Sequence, residues 1–447
     1  MPAVAPFRGL HYSLDRYGGP RVPERVRLPG EAADHPARLA DLTDLACPPY
    51  DVIDAEEQAM LLARDKRNAV RLELNPGQDP HAGAEEALAR WTADGTLAAR
   101  AEPTMYYYAH ASSDDPDDLG VQGVLARVQL EPWGSGVRPH EHTMPGPKAD
   151  RLALLRATTT QFSPILAIYF DDAPRYAQLM GRAWTDEWRA RDRDGLLHQL
   201  TALEPDDRLV RYLGRQTLFV ADGHHRYETA LAYQAEVRSD SRLADAPDGS
   251  LAADWVMMVL VNAELEELTI LPTHRVVVEA DGAALRRLID RSDPMLEAQP
   301  VAPQELAGAL AARADADPPT FGLVLSGDEA WVLTLDADAV AARMRREPVS
   351  TAVAHLDLAI LHAVILDDRL GIDAAAVAAG DRLLYTRDAA EAVARVDRAE
   401  AAAALLIRPT RLDQLAAVAT AGDLMPQKST YFYPKLLTGL VFNPLQE

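Results

Sequence analysis

One short segment constrains the fold of this chain more than any other: residues 219–230 read FVADGHHRYETA. An apolar, β-branched run, one glycine and then helix-forming residues predict a buried strand, a sharp turn and a helix that Asp222 caps. Three basic side chains, His224, His225 and Arg226, follow at the positive end of the helix dipole, where cations are unfavourable without an anion. An ordinary capped helix with His225 in the core is the alternative. We interpret the segment as a phosphate-binding turn, because helix N–H groups and arginine both bind phosphate.

A second segment repeats this charge pattern. Residues 139–151 read PHEHTMPGPKADR, a loop bracketed by prolines in which Pro147 is placed to open a helix. Lys148 and Arg151 then lie one turn apart on the first turn of that helix, so positive charge again gathers at a helix N-terminus. The segment predicts a second cationic wall for the same phosphate site.

The loop before that helix carries the candidate catalytic group. Glu141 lies between two histidines and is the best candidate general base, since its carboxylate can accept a hydroxyl proton. His140, His142 and Thr143 are candidates for positioning the substrate. The two histidines can instead share a face of extended backbone and bind a metal ion, and a solvated polar loop is the third interpretation.

Three other segments are predicted to complete the site. The Pro-Pro turn in residues 47–53, CPPYDVI, is rigid and gives Tyr50 and Asp51 a defined direction for positioning a substrate, although a purely structural turn is the alternative. Residues 271–275, LPTHR, and 425–435, MPQKSTYFYPK, supply basic groups and hydroxyls. From these two segments we select as phosphate ligands Lys428, Ser429 and Thr430, and as substrate-positioning residues His274, Arg275 and Lys435.

Composition limits the function classes. The formal net charge of −23 argues against a general binder of nucleic acid or of acidic membranes, which needs a basic face. No stretch is long enough to cross a bilayer and the N-terminus lacks the apolar core of a signal peptide, so we expect a cytoplasmic protein. The single cysteine, Cys47, excludes an internal disulfide. Among 45 basic residues the lysines are Lys66, Lys148, Lys428 and Lys435, and the last three lie in the segments described above.

The apolar pattern predicts two domains and a returning tail. Over residues 1–275, strand-like and helical runs alternate at short spacing, which predicts a mixed α/β domain with a mixed sheet. Residues 276–420 are Ala-rich and predict an α+β accessory domain, and 421–447 predict a C-terminal strand segment that returns to the first domain. The predicted strands are 70–74, 105–109, 121–130, 164–170, 217–221 and 255–261, with a hairpin at 321–325 and 330–335. The predicted helices are 55–65, 83–91, 176–190, 282–288, 303–312, 339–346 and 354–370.

The chemistry-bearing segments also resemble a known family, the one catalogued as domain of unknown function 1015. The resemblance covers nearly the whole chain and rests on PPYDVI at 48–53, HEHT at 140–143, ADGHHRYETA at 221–230, LPTHR at 271–275 and MPQKSTYFYPK at 425–435. More distantly, DGHHR resembles the phosphate-gripping motif of the ParB/sulfiredoxin superfamily, particularly of its free serine kinases. Those enzymes move a phosphoryl group from ATP or ADP to the hydroxyl of free L-serine.

The distant resemblance implies a ParB/sulfiredoxin-like nucleotide-binding core. In such a core the nucleotide phosphates are held by Gly223, His224, His225 and Arg226. Glu141 is then the candidate base for a hydroxyl acceptor. Mg²⁺ is expected with the nucleotide, with Asp222 or Glu228 as its ligands.

Departures from the superfamily narrow the chemistry. Sulfiredoxins have a catalytic cysteine after the glycine, where this chain has His224, and the DNA-reading helix-turn-helix of ParB proteins has no counterpart here. A Walker A sequence is also missing. Three functions stay open: a small-molecule kinase, a nucleotide-binding regulatory protein without efficient catalysis, and a metal-dependent hydrolase that uses His140, His142 and His224 or His225.

Overall fold

The computed structural model describes residues 1–19, 38–111, 120–141, 145–171, 186–203, 206–290, 293–313, 318–325 and 328–446. The chain divides into two compact units, which are described separately below. The first unit consists of Met1–Pro139, Met144–Leu268 and Pro434–Glu447. The second consists of His140–Thr143 and Thr269–Tyr433.

A large mixed sheet lies at the centre of the first unit. Trp255–Asn262 is buried along its whole length, as expected for an apolar strand covered on both faces. It runs parallel to Ile165–Tyr169 on one side and antiparallel to Val121–Gln129 on the other, so the predicted mixed sheet is confirmed. The described strands follow one another in the order Gly18–Gly19, Arg38–Asp41, Asp186–Arg191, Leu197–Leu203, Met105–Ala111, Val121–Gln129, Trp255–Asn262, Ile165–Tyr169, Leu218–Asp222 and Val137–Arg138, and Val4–Ala5 pairs with Val121–Gln129.

Helices of the first unit begin at residues with capping chemistry. Asp54 accepts a hydrogen bond from the N–H of Glu57, and Asp79 accepts one from the N–H of Ala82 ahead of a helix that starts with proline. The described helices are Leu14–Tyr17, Ala55–Arg64, Val70–Glu73, Pro80–Ala93, Pro145–Thr158, Asp207–Leu213 and His224–Ser239, with 3₁₀ turns at Tyr50–Val52 and Ala252–Asp254.

Residues 434–446 pack along the first unit at several places. Cys47 and Thr438 exchange backbone hydrogen bonds of 3.0 and 2.9 Å, and Leu10 and Phe442 do the same at 2.9 Å. Asn443–Pro444 pairs with Thr160–Gln161 in a short antiparallel ribbon. A further ribbon joins Leu10–Tyr12 to Leu97–Ala99.

The second unit has its own antiparallel sheet and its own apolar core, which confirms an α+β architecture there. Its strands lie in the order Leu296–Val301, Glu329–Leu335, Thr320–Leu325, Ala403–Leu406, His274–Val277 and Leu383–Thr386, and Thr269–Leu271 pairs separately with Tyr431–Tyr433. Thr320–Leu325 and Glu329–Leu335 form the predicted hairpin, whose residues 326–327 lie outside the described part. The described helices are Gly282–Arg287, Pro303–Ala311, Ala337–Met344, Thr351–Ala354, Asp357–Ile360, the π-helical Leu361–Asp367, Asp368–Leu370, Ala374–Ala379, Ala389–Asp397 and Leu412–Thr420.

Three predicted elements were wrong in whole or in part. The predicted strand at 70–74 is the short helix Val70–Glu73, because the Asn68 side chain accepts from the N–H of Val70 and so bends the chain into a helical turn. The predicted helix at 176–190 ends in the strand Asp186–Arg191, whose Trp188 is buried, while 176–185 lie outside the described residues. The long helix predicted at 354–370 is interrupted where Leu356 has extended backbone.

Membrane crossing has no support in the described part of the chain. None of the helices there is both long enough and apolar enough to span a bilayer.

Candidate functional site

The strand, the glycine turn and the helix predicted from residues 219–230 are all present in the first unit. Strand Leu218–Asp222 leads through Gly223 into helix His224–Ser239. Gly223 has φ = 99°, and a Cβ there would lie 3.1 Å from both the Arg226 guanidinium and Ile165, so the turn requires glycine. The predicted N-cap role of Asp222 is wrong: Gly223 is the N-cap residue, and no side chain caps this helix.

Asp222 instead binds two cations. Its carboxylate accepts from Arg226 Nη2 at 2.5 Å and from Lys435 Nζ, so residues more than two hundred positions apart meet at the end of this strand. The side chains of Asp222, Arg226 and Lys435 are only 16, 12 and 11% exposed. Burial raises the pKa of Asp222, but the charges of Lys435 and Arg226 outweigh burial and hold that pKa well below its usual range. The cluster is therefore a buried ion triad beside an uncapped helix N-terminus.

The Pro-Pro turn contributes to the same cluster. Burial lowers the pKa of Arg226, whereas the negative charges of Asp222 and then Asp51 raise it, and the net shift is upward. Burial, and next the charge of Asp51, raise the pKa of Tyr50, whose ring centre lies 4.3 Å from Arg151 Cζ. The structure thus brings together Tyr50, Asp51, Arg151 and Arg226, four residues that the sequence analysis selected.

Arg151 and Lys148 both hold carboxylates. Arg151 Nη1 donates to Glu73 Oε2 at 2.9 Å, and both residues are buried. Lys148 forms an ion pair with Glu228, which joins helix Pro145–Thr158 to helix His224–Ser239. Their predicted positions on the first turn of a helix are confirmed, with the helix starting two residues before Pro147.

Glu73 is the main group that the sequence analysis missed. Its carboxylate accepts from Arg151, Ser163 and Thr438, and Ser163 and Thr438 hydroxyls lie 2.5 Å apart. The alternation of RLEL placed Glu73 on the polar face of a presumed strand, whereas the observed helix Val70–Glu73 buries it. A buried carboxylate in this position needs partners from distant segments, and local pattern does not reveal them.

The two histidines of the motif have different surroundings. His224 is buried, with its ring centre 6.3 Å from that of Trp133, which stacks at 4.1 Å on Tyr227. His225 is half-buried. Glu228 accepts from Trp133 Nε1 at 3.4 Å in addition to its ion pair with Lys148.

In the second unit, the segment at Glu141 meets the segment at Lys428. Glu141 Oε2 accepts from the N–H of Ser429 at 3.3 Å, and His140 Nε2 lies 2.8 Å from the Thr430 hydroxyl. Lys428 has φ = 57°, a left-handed conformation that is uncommon for a residue with a side chain. These predicted site residues are therefore neighbours in space as well as in motif.

Arg275 and His274 lie beneath this turn in the same unit. Arg275 is fully buried and donates to the carbonyls of Gln427 and Lys428 at 2.9 and 3.1 Å, while burial lowers its pKa to about 10. His274 Nδ1 accepts from the N–H of Ile407 at 3.2 Å, and burial lowers its pKa to about 4. The contacts of these two residues hold the protein backbone.

Metal ligation finds no cluster among the described residues. No group of three or more His, Cys, Asp and Glu side chains in that part of the chain is arranged to hold a metal ion. His142 and Thr143 lie outside the described residues, so the prediction of a histidine pair there is not tested.

Comparison with known proteins gives one family and several distant structures. A family model described as "Protein of unknown function (DUF1015)" matches residues 28–359. No curated protein matches the sequence. Similar solved structures include free serine kinase in complex with AMP (10% identity, 66% of this chain and 83% of that one, TM-score 0.32) and a conserved hypothetical protein from Pyrococcus furiosus (12%, 71% and 94%, 0.35). SbnI from Staphylococcus aureus is a third (11%, 70% and 85%, 0.36).

Proposed function

For this chain, which belongs to the DUF1015 family of proteins of unknown function, we propose binding of ATP or ADP through the nucleotide phosphates and phosphoryl transfer to a small hydroxyl acceptor. The observation that carries the proposal is the convergence of Arg226 and Lys435 on Asp222 at the start of helix His224–Ser239. Phosphoryl transfer depends mainly on positioning and on neutralising charge, and this cluster supplies both.

The first turn of the helix is suited to an anion. No side chain caps it, and Gly223 lets a ligand approach the backbone without meeting a Cβ. Asp222 holds the Arg226 guanidinium in place, so a phosphate binds to a fork whose geometry is already ordered. His224 and His225 follow on the same turn and are further candidate donors.

The residues present fit a nucleotide phosphate better than they fit Mg²⁺. Both predicted metal ligands already bind cations: Asp222 binds Arg226 and Lys435, and Glu228 binds Lys148. A magnesium ion that arrives with the nucleotide would have to share these carboxylates with the side-chain cations. Mg²⁺ ligation by Asp222 or Glu228 therefore stays a prediction.

Calorimetric titration with ADP and ATP, with and without Mg²⁺, tests the binding step. Arg226→Lys keeps the positive charge but loses the bidentate fork, so we expect the Kd for ADP to rise roughly tenfold to a hundredfold. Arg90→Lys is the matched control, because Arg90 is exposed on helix Pro80–Ala93 and its substitution should leave the Kd unchanged. Equal affinities in the wild type and Arg226→Lys would contradict the proposed site.

Phosphoryl transfer needs its own assay. The protein is incubated with ATP or ADP, Mg²⁺ and a panel of hydroxy amino acids and small alcohols, and products are followed by ³¹P NMR. A phosphorylated acceptor that disappears with Arg226→Lys supports a kinase.

A regulatory nucleotide-binding protein without efficient catalysis is the second candidate. One observation favours it: Asp222, Glu73 and Glu228 each hold a cationic partner, so none of these three carboxylates is set up as a proton acceptor. Nucleotide binding without product in the same assay would favour this candidate over the kinase.

A further inference from the structure

A small pocket in the first unit shares Arg226 with the proposed phosphate site. Its volume is about 60 Å³. Its polar lining includes Tyr50, Glu73, Arg151 and Arg226. Its apolar walls are formed mainly by Leu154, Leu155, Phe162, Ile165 and Val256.

The volume of the pocket limits what it can hold. One water-sized group needs roughly 10–15 Å³ measured in this way, so the pocket has room for on the order of four to six heavy atoms. A purine ring system with its nine ring atoms is too large. An aliphatic group of a small molecule is the right size, and five apolar walls favour it over a polar group.

Thr229 adds a polar group to this apolar lining. It lines the pocket, is 4% exposed, and its hydroxyl has no hydrogen-bond partner among the described residues. Threonines elsewhere in the helices of this unit bond back to their own helix: Thr158 donates to the carbonyl of Leu154 at 2.8 Å. Because Thr229 lies one turn after Arg226, the two side chains share a face of the helix. The Thr229 hydroxyl is therefore placed to bond a ligand atom close to Arg226.

We propose that this pocket is the acceptor subsite and that the acceptor is an aliphatic alcohol with four to six heavy atoms inside the pocket. Its apolar chain contacts the leucine, isoleucine and valine walls, and its hydroxyl lies between Thr229 and Arg226. This inference rests on the proposed function for the role of acceptor, whereas the binding of an aliphatic alcohol depends on the pocket alone.

A chain-length series tests the capacity of the pocket. Binding of ethanol, 1-propanol, 1-butanol, 1-pentanol, 1-hexanol and 1-octanol to the full-length protein is measured by saturation-transfer NMR. Each added methylene should tighten binding about fourfold until the pocket is full near pentanol, after which the gain should stop. Glycerol has as many heavy atoms as 1-pentanol but no apolar chain, so it should bind much more weakly. Affinity that keeps rising through octanol, or glycerol binding as tightly as pentanol, overturns the inference.

Two sets of variants locate the binding. Thr229→Val keeps the shape and removes the hydroxyl, so it should weaken pentanol binding roughly twofold to tenfold, and Thr229→Ser should restore most of it. Ala230→Leu fills the pocket from its wall and should abolish pentanol binding, whereas Ala89→Leu on an exposed helix face should leave it unchanged. If Ala230→Leu does not fold, the Thr229 pair still decides the question.

Nucleotide titrations in the same variants separate this inference from the proposed function. Thr229→Val should bind ADP with the wild-type Kd. Pentanol binding with the expected size limit in a protein that binds no nucleotide would refute the acceptor role together with the proposed function. Nucleotide binding without a size-limited alcohol site would refute this inference alone.

Discussion

Removing the Lys435 ammonium is the most direct way to measure what the buried triad contributes. Lys435→Met keeps most of the aliphatic stem and deletes the charge that Asp222 accepts. Asp222 keeps Arg226 at 2.5 Å, so it is not left as an isolated buried charge, a change that costs about 3–5 kcal/mol. The loss is one charge-assisted hydrogen bond between side chains that are 11 and 16% exposed, which is worth about 1.5–3 kcal/mol. We therefore expect the free energy of unfolding to fall by about 2 kcal/mol at pH 7.

The pH dependence of this loss identifies Asp222 as the partner. The pKa of Asp222 is lowered in the folded protein, so its contribution to stability is fully present above its ordinary pKa of about 3.9 and is lost as the pH falls through the lower folded value. In Lys435→Met the pKa is lowered less. The difference between wild type and variant should therefore shrink as the pH falls from 6 toward 3.

Guanidinium denaturation followed by tryptophan fluorescence provides the assay, since Trp133, Trp188 and Trp255 report on the first unit. Lys66→Met is the matched control, because Lys66 is exposed and its substitution should change the free energy by no more than about 0.5 kcal/mol. A Lys435→Met effect no larger than that of the control, or one that does not vary with pH, would refute the reasoning.

Three further predictions concern other described residues. Gly223→Ala should destabilise the first unit by at least about 1 kcal/mol in the same denaturation assay, because of its φ and its 3.1 Å neighbours, whereas Gly282→Ala, with open space around it, should not destabilise the protein. Burial raises the pKa of Glu266 to about 7, so the folded state holds a proton longer than the unfolded state and stability falls between about pH 4.3 and 7. Glu266→Gln should therefore unfold at a higher guanidinium concentration than wild type at pH 8 but not at pH 4, and an equal gain at both would count against this assignment. Glu141→Gln should lower phosphoryl transfer by tenfold or more with little change in the Kd for ADP, and unchanged turnover would remove Glu141 as the candidate base.

Local pattern was sufficient where the physics is local. The strand, the glycine turn and the helix at residues 219–230 follow from an apolar run, one residue that tolerates positive φ, and helix-forming residues, and all three are observed. The mixed sheet follows from strands spaced too closely for crossover helices. These features depend on neighbours within a few residues.

The wrong and missing predictions depend on distant partners. Asp222 has the composition of an N-cap, but Lys435 and Arg226 hold its carboxylate away from that role. Residues 70–74 have strand-like composition, yet one side-chain bond from Asn68 turns them into a helix and buries Glu73. In each case a tertiary contact outweighs a preference of a few tenths of a kcal/mol per residue.

The split of the first unit between early and late parts of the chain has a consequence for biosynthesis. Lys435, Thr438 and Asn443–Pro444 reach Asp222, Cys47 and Thr160–Gln161 only after the ribosome has translated Thr269–Tyr433. At roughly 5–20 residues per second, that delay is on the order of 10–30 s. During this interval the nascent first unit has its sheet residues but lacks the strand and the cation that complete it, while the second unit emerges as one nearly continuous stretch. Until then, Asp222 has one cationic partner fewer than in the finished protein.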